Sequence, residues 1–248
     1  VSTACPSLLL ASTALLGLLI GGSLNELILR ATAGQKSGVP GRARRASCGR
    51  GPIRDPLVVT TTGVCFTAVT WWWLIDSADP ALGDGASAVM LIAYLHLAAV
   101  SIALARIDLD TSRLPNGIVL PSLLVFASLT AAASLLDAEP RPLLRALCGG
   151  AALAAWYGAF VLIRPGALGM GDVKLAVLLG TASAWLGWGQ LVIGALATFV
   201  LGGMYGSALL LTRRAGRGSG IPFGPWMIIG AWAGMITGEG VAAWWFAS

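Results

Sequence analysis

Charge is what this chain has least of. Only 11% of its 248 residues are Asp, Glu, Lys or Arg, where a soluble domain carries about 25%. That excludes an ordinary water-facing surface, and the 56% apolar content and mean hydropathy of +0.81 make lipid the solvent. Histidine is nearly absent. The one copy, His96, sits inside an apolar run, where packing or an interhelical hydrogen bond suits it better than a Ser-His-Asp role. The four cysteines, Cys5, Cys48, Cys65 and Cys148, include no C-x-x-C pair. Neither a zinc site nor a disulfide framework is signalled. Cys5, Cys65 and Cys148 lie in or beside apolar segments as small packing residues. The net charge of +5 does not indicate nucleic acid, because the bases fall in short loops between apolar blocks.

Those blocks set the fold class. A span takes about 20 mostly apolar residues, and candidates fall at 8–29, 57–75, 86–105, 118–136, 143–163, 173–188, 191–211 and 222–246. The sixth is the shortest and is open to a partly re-entrant reading. The first has no basic n-region and is followed by further spans, so it reads as a membrane helix rather than a signal peptide. The expectation is an all-α polytopic membrane helix bundle of about eight transmembrane helices. It forms one domain, 1–248, with a short cytoplasmic loop at about 31–56. Fourteen of the 16 bases fall in or beside odd-numbered loops, and Arg141 and Arg145 alone in even-numbered ones. Lys and Arg stay cytoplasmic, so the odd loops are inside. Trp71, Trp72, Trp73, Trp185, Trp188, Trp244 and Trp245 lie near span ends, as in an interfacial belt.

Eleven acids remain to be explained. Most belong to outer loops. Glu26, Asp108, Asp110 and Asp172 instead lie near inner ends of spans, where a carboxylate is costly unless it faces a cavity or a partner. Two of their contexts stand out. In Ile107-Asp108-Leu109-Asp110-Thr111-Ser112-Arg113-Leu114-Pro115-Asn116, an apolar span meets acids and then a proline that disfavours helix. In Gly169-Met170-Gly171-Asp172-Val173-Lys174-Leu175, two glycines precede an acid that opens a new apolar run. Irregular backbone at membrane depth is tolerated where it lines a cavity. Two carboxyls brought together there can share one proton. The ionised one takes a proton from water and the other polarises a scissile carbonyl, which is general acid–base hydrolysis.

These segments resemble the type IV prepilin peptidase family of membrane aspartyl proteases. Asp108 to Asn116 is similar to its first aspartate motif, and Gly169 to Leu175 to its G-x-G-D motif, which presenilin-type proteases share. Ile221-Pro222-Phe223-Gly224-Pro225 with Gly230-Ala231-Trp232 resembles its late I-P-F-G-P segment. Gly22, Asn25 and Arg30 fit near the first span end. Pro56, Leu57, Val58 and Gly63 fit loosely before the second. The resemblance implies an aspartic endopeptidase with Asp172 as one catalytic acid. It favours Asp108 as the other, since shorter relatives keep an aspartate seven positions before the proline, and it leaves Asp110 in reserve. It also implies Gly169, Gly171, Lys174, Pro222, Gly224 and Pro225 as shaping the site. The implied substrates are prepilin or pseudopilin precursors, cut at the cytoplasmic face of the inner membrane beside membrane lipid, with no nucleic acid involved.

The departures limit what is carried over. Many members bind zinc with two C-x-x-C pairs in the first cytoplasmic loop; here Cys48 stands alone, so no metal is expected. The acid that follows P-L-V in the family is Val59. Proteolysis is expected to need no cofactor, and these departures leave the methyl transfer from S-adenosylmethionine performed by many members without support. Three rival readings are a presenilin-like protease with other substrates, a proton-coupled transporter or channel, and an inert assembly subunit. The late I-P-F-G-P resemblance favours the peptidase.

Overall fold

The computed structural model describes residues 6–36, 55–77, 82–163, 168–212 and 222–247. Cys5, Asp79, Arg164, Arg213, Arg214, Arg217, Ile221 and the Arg-rich segment 37–54 with Cys48 lie outside the described residues. So do the side chains of Lys36, Glu239, Trp244 and Trp245.

Eight α-helices make up the described residues: α1 (Pro6–Lys36), α2 (Pro56–Trp72), α3 (Asp84–Thr111), α4 (Asn116–Leu136), α5 (Arg141–Ile163), α6 (Met170–Leu186), α7 (Trp188–Leu211) and α8 (Gly224–Ala247). Each expected span falls on one of them. Six are long and apolar enough to cross a membrane by length and composition, and the chain is a multi-pass membrane protein. The sixth segment is a continuous helix of 17 residues, about 25 Å long.

Boundaries differ from expectation where local chemistry overrides hydropathy. Helix α3 runs six residues beyond 105, so Asp108 and Asp110 lie inside it. It stops at Ser112, whose φ of 51° is left-handed and whose N–H reaches the Asp108 carbonyl at 2.7 Å. Pro115 then caps α4. Helix α2 ends in a π-helical turn, Trp73–Ser77.

Helices α3, α4, α6 and α8 form a closed ring, each packing on the next. Helices α1 and α2 pair and cover α3, α5 covers α6, and α7 covers α8 and α6. Tyr94 ties the ring across its middle. It is fully buried, meets the rings of Trp72, Trp73, Phe126 and Trp232, and donates its hydroxyl to the Ala182 carbonyl at 2.8 Å. The interfacial reading therefore fails for Trp73 and Trp185, which are 2% and 4% exposed in the core. Trp73 donates its indole N–H to Ser87 and packs on Tyr94. Trp71 and Trp188 are exposed.

The two arginines that break the loop asymmetry have different roles. Arg145 bonds the last carbonyls of α6, with Nε to Ala184 at 2.6 Å and Nη2 to Trp185 and to Leu186 at 3.2 Å. Helix C-termini leave these acceptors unsatisfied, and a cation there also complements the macrodipole. Arg141 is exposed and, among the described residues, pairs only with Glu139 at 3.7 Å. Arg145→Met should therefore lower stability by about 1.5–3 kcal/mol, the range for hydrogen bonds to a charged group. Arg141→Met should change it by less than about 0.5 kcal/mol. Thermal unfolding in detergent checks both.

Candidate active site

Alternating helix directions bring four segments to one end of the ring. Helix α3 ends there, and α4, α6 and α8 begin there. Asp108 sits on the last turn of α3 and is 4% exposed. Its Oδ2 accepts the N–H of Gly224 at 3.0 Å, across 116 residues of chain. That N–H belongs to the first turn of α8 and has no partner within its own helix. The next residue, the buried Pro225, has no N–H to satisfy, and Phe223 caps the helix by accepting from Trp226 and Met227. A Cβ on residue 224 would lie 2.8 Å from Asp108 Oδ2, so this approach requires glycine. Pro222 is partly buried beside this turn.

Asp172 lies on the first turn of α6, partly buried. Its Oδ2 accepts the N–H of Gly169 at 2.9 Å while its own N–H bonds the Gly169 carbonyl at 3.0 Å. Gly171 lets the α3–α4 turn close in, since a Cβ there would meet that of Leu114 at 2.9 Å. Lys174 donates to Asn116 Oδ1 at 2.8 Å. The two acid motifs thus touch at a glycine and are tied by a lysine. Each carboxyl is held by one oxygen, and neither Oδ1 has a partner among the described residues.

Asp110 faces elsewhere. Two residues along a helix is a turn of about 200°, and Asp110 pairs with Arg106 at 3.6 Å, which also meets Asp55 at 3.7 Å. Glu26 pairs with Arg30 at 3.6 Å on an exposed face. His96 lines an apolar cavity, with Nε2 unpartnered among the described residues. Among the described residues, no three His, Cys, Asp or Glu gather where a metal could bind.

One element was not read from sequence. Buried Tyr157 of α5 lines one small cavity together with Thr198 of α7. Its ring stacks on Phe199 at 5.6 Å and packs on Phe223 at 6.3 Å. An aromatic in an apolar span looks like any packing residue, so no signal marked it.

With this geometry in view, residues 95–207 match the family model described as the type IV leader peptidase family. Those residues are similar to that family, and they make up less than half of the chain. A protein of Aeromonas hydrophila named prepilin leader peptidase/N-methyltransferase is 34% identical over 209 residues, covering 82% of this chain and 65% of its own length. One of the same name from Aeromonas salmonicida is 35% identical over 161 residues, covering 63% and 53%. Another, from Stutzerimonas stutzeri, is 33% identical over 194 residues, covering 77% and 61%. The chain thus spans less than two thirds of the length of these relatives. No solved structure is significantly similar to it.

The Gly224 contact yields a direct test of the site's packing. Gly224→Ala should push the Asp108 carboxyl off the α8 terminus and lower stability by about 1–3 kcal/mol, the range for overpacking. Gly22→Ala, where a Cβ meets nothing within 4 Å, should be neutral or stabilising. Melting temperatures in detergent decide it.

Proposed function

We propose that this protein is a membrane aspartic endopeptidase that removes leader peptides from type IV prepilin-like precursors, with Asp108 and Asp172 as its catalytic acids. The observation that carries the reading is the convergence of the two carboxyls at one end of the ring, each tied by one oxygen and each with an Oδ1 that has no partner among the described residues. The family match over residues 95–207 supports the reaction class, and the names of the similar proteins support the substrate class.

In this mechanism the two carboxyls hold one proton between them. The ionised Oδ1 takes a proton from water as the water attacks the scissile carbonyl carbon. The protonated acid donates to the carbonyl oxygen, giving a neutral tetrahedral intermediate. Its collapse breaks the C–N bond as the nitrogen gains a proton, and one proton again remains on the pair. The backbone N–H groups of Gly224 and Gly169 fix the carboxyls so that little reorganisation is needed at the moment of reaction. Lys174 and Asn116 hold the two motifs in register. Asp110, paired with Arg106, has no part in this chemistry.

The precursor in this reading carries a basic leader followed by an apolar helix. The helix sits in the bilayer and the junction reaches the inner face, so the active site faces the cytoplasm from the inner membrane, as the arginine distribution supports. The chain forms a single peptidase domain with lipid as its solvent. The proposal covers leader removal alone; methyl transfer from S-adenosylmethionine is not part of it, because the loop at about 31–56 departs from the family pattern.

Co-expression with a tagged prepilin, scored by mobility and mass, tests the reading. Asp108→Asn and Asp172→Asn should each reduce leader removal by about 100-fold or more, as loss of a general acid or base does. Asp110→Asn should stay within a few-fold of the parent. Cleavage that survives Asp172→Asn at normal membrane abundance would remove the mechanism.

A further inference from the structure

Two lines of residues converge on the Asp108–Gly224 hydrogen bond from within the membrane. On α3, Ala98, Ser101, Ala105 and Asp108 follow at steps of three and four, so they share a face. On α8, Gly224, Ile228, Trp232 and Ile236 follow at steps of four. All of these except Asp108 and Gly224 line one cavity of about 300 Å³, which α2 closes with Cys65, Ala68 and Trp72. The floor is buried at Ala98, Ser101 and Ile228, while Ala68 and Ile236 on the rim are exposed. The cavity is therefore a groove open sideways. It starts about one turn from the carboxylate, about 4.5 Å along α3 and about 6 Å along α8, and continues for about 10–12 Å.

We propose that this groove docks the apolar helix of the precursor, on the far side of the scissile bond from the leader, after entry from the bilayer. The inference rests on the peptidase reading above. Register selects the occupant: a helix lying in the groove presents its end directly to Asp108. Composition selects its chemistry. The lining is apolar except for Ser101, which accepts the Trp232 indole N–H at 3.2 Å, and the Trp72 indole N–H, which has no partner among the described residues. Small residues at 98, 101 and 105 let a helix backbone approach closely, the packing mode that replaces the hydrophobic effect in lipid. The groove length fits about two turns of helix. The cavity beside His96 is larger, about 440 Å³, but it lies on another face of α3. Its positions 96, 99 and 103 lead on to Ile107 rather than to Asp108.

Cys65 in the groove wall supplies the test. In the chain with Asp172→Asn, and with Cys5, Cys48 and Cys148 replaced by serine, Cys65 is the sole thiol of residues 1–248. It is co-expressed in membranes with a prepilin carrying one cysteine moved stepwise along its apolar helix, and the membranes are oxidised. Disulfide adducts should recur at steps of three and four within the first turns after the cleavage site. They should be absent when exposed Cys148 is the sole thiol instead. Separately, Ile236→Trp in the active protein, placed on the exposed rim, should raise KM for full-length precursor about tenfold with kcat unchanged, the signature of lost uniform binding. A peptide ending before the apolar helix should not respond. Cleavage that persists with no adduct at any position and an unchanged KM in Ile236→Trp overturns the groove while leaving the peptidase intact, the groove then holding lipid chains. Parent protein that cleaves no prepilin overturns the function and this inference together.

Discussion

The bond from the Gly224 N–H to Asp108 Oδ2, 3.0 Å long, joins two helix ends that are 116 residues apart. Much of the site's order follows from it. It closes the ring between α8 and α3 and gives α8 a partner for an N–H that its own helix cannot satisfy. It also fixes the carboxyl of a buried aspartate that would otherwise be expensive to hold in an apolar bundle. Each part depends on the others. Without glycine at 224 the two atoms could not approach, and without proline at 225 a second N–H would need a partner in the same place.

Chain direction explains why the two acids gather at this end. Helices joined by short connections alternate, so the end where α3 stops is where α4, α6 and α8 start. Three positive helix termini then face two carboxyls. A carboxylate at the centre of a span costs about 2.5–3.5 kcal/mol on insertion scales. Backbone N–H donors and helix dipoles offset that cost while also orienting the groups. Stability and preorganisation therefore come from the same atoms, and the structure needs no dedicated scaffold for the acids.

The extent to which the sequence was legible follows from which interactions are local. Hydropathy is a local property, and all eight expected spans fall on helices. The G-x-G-D and late I-P-F-G-P segments were readable because glycine and proline act on their own backbone. The choice between Asp108 and Asp110 had come from family resemblance. Two acids at a helix end look alike in sequence until neighbours are known, and here one meets Gly224 while the other meets Arg106. The same holds for Arg145, which resembled a loop charge and instead satisfies the carbonyls of α6. Trp73 and Trp185 looked like interface anchors because position along a span was visible and orientation around the helix was not. Glu26 needed only its neighbour four residues on, Arg30, to become an exposed ion pair. Tyr157 gave no warning at all.

Position around a helix also separates the proposed chemistry from the proposed recognition. On α3 the face that carries Asp108 is the face of Ala98, Ser101 and Ala105, while Asp110 lies about 200° away and pairs with Arg106. On α8 the face of Gly224 is that of Ile228, Trp232 and Ile236. A single register on each helix thus connects the carboxylate to an apolar groove, and the exposed ion pairs stay outside it. The proposed peptidase, working on a lipid-embedded helix, needs that division. Its water-using step must sit where polar backbone ends collect, and its binding surface must remain apolar and open to the bilayer. Ring closure at Gly224 meets both requirements, since the contact that orients Asp108 also sets the rotation of α8 against α3.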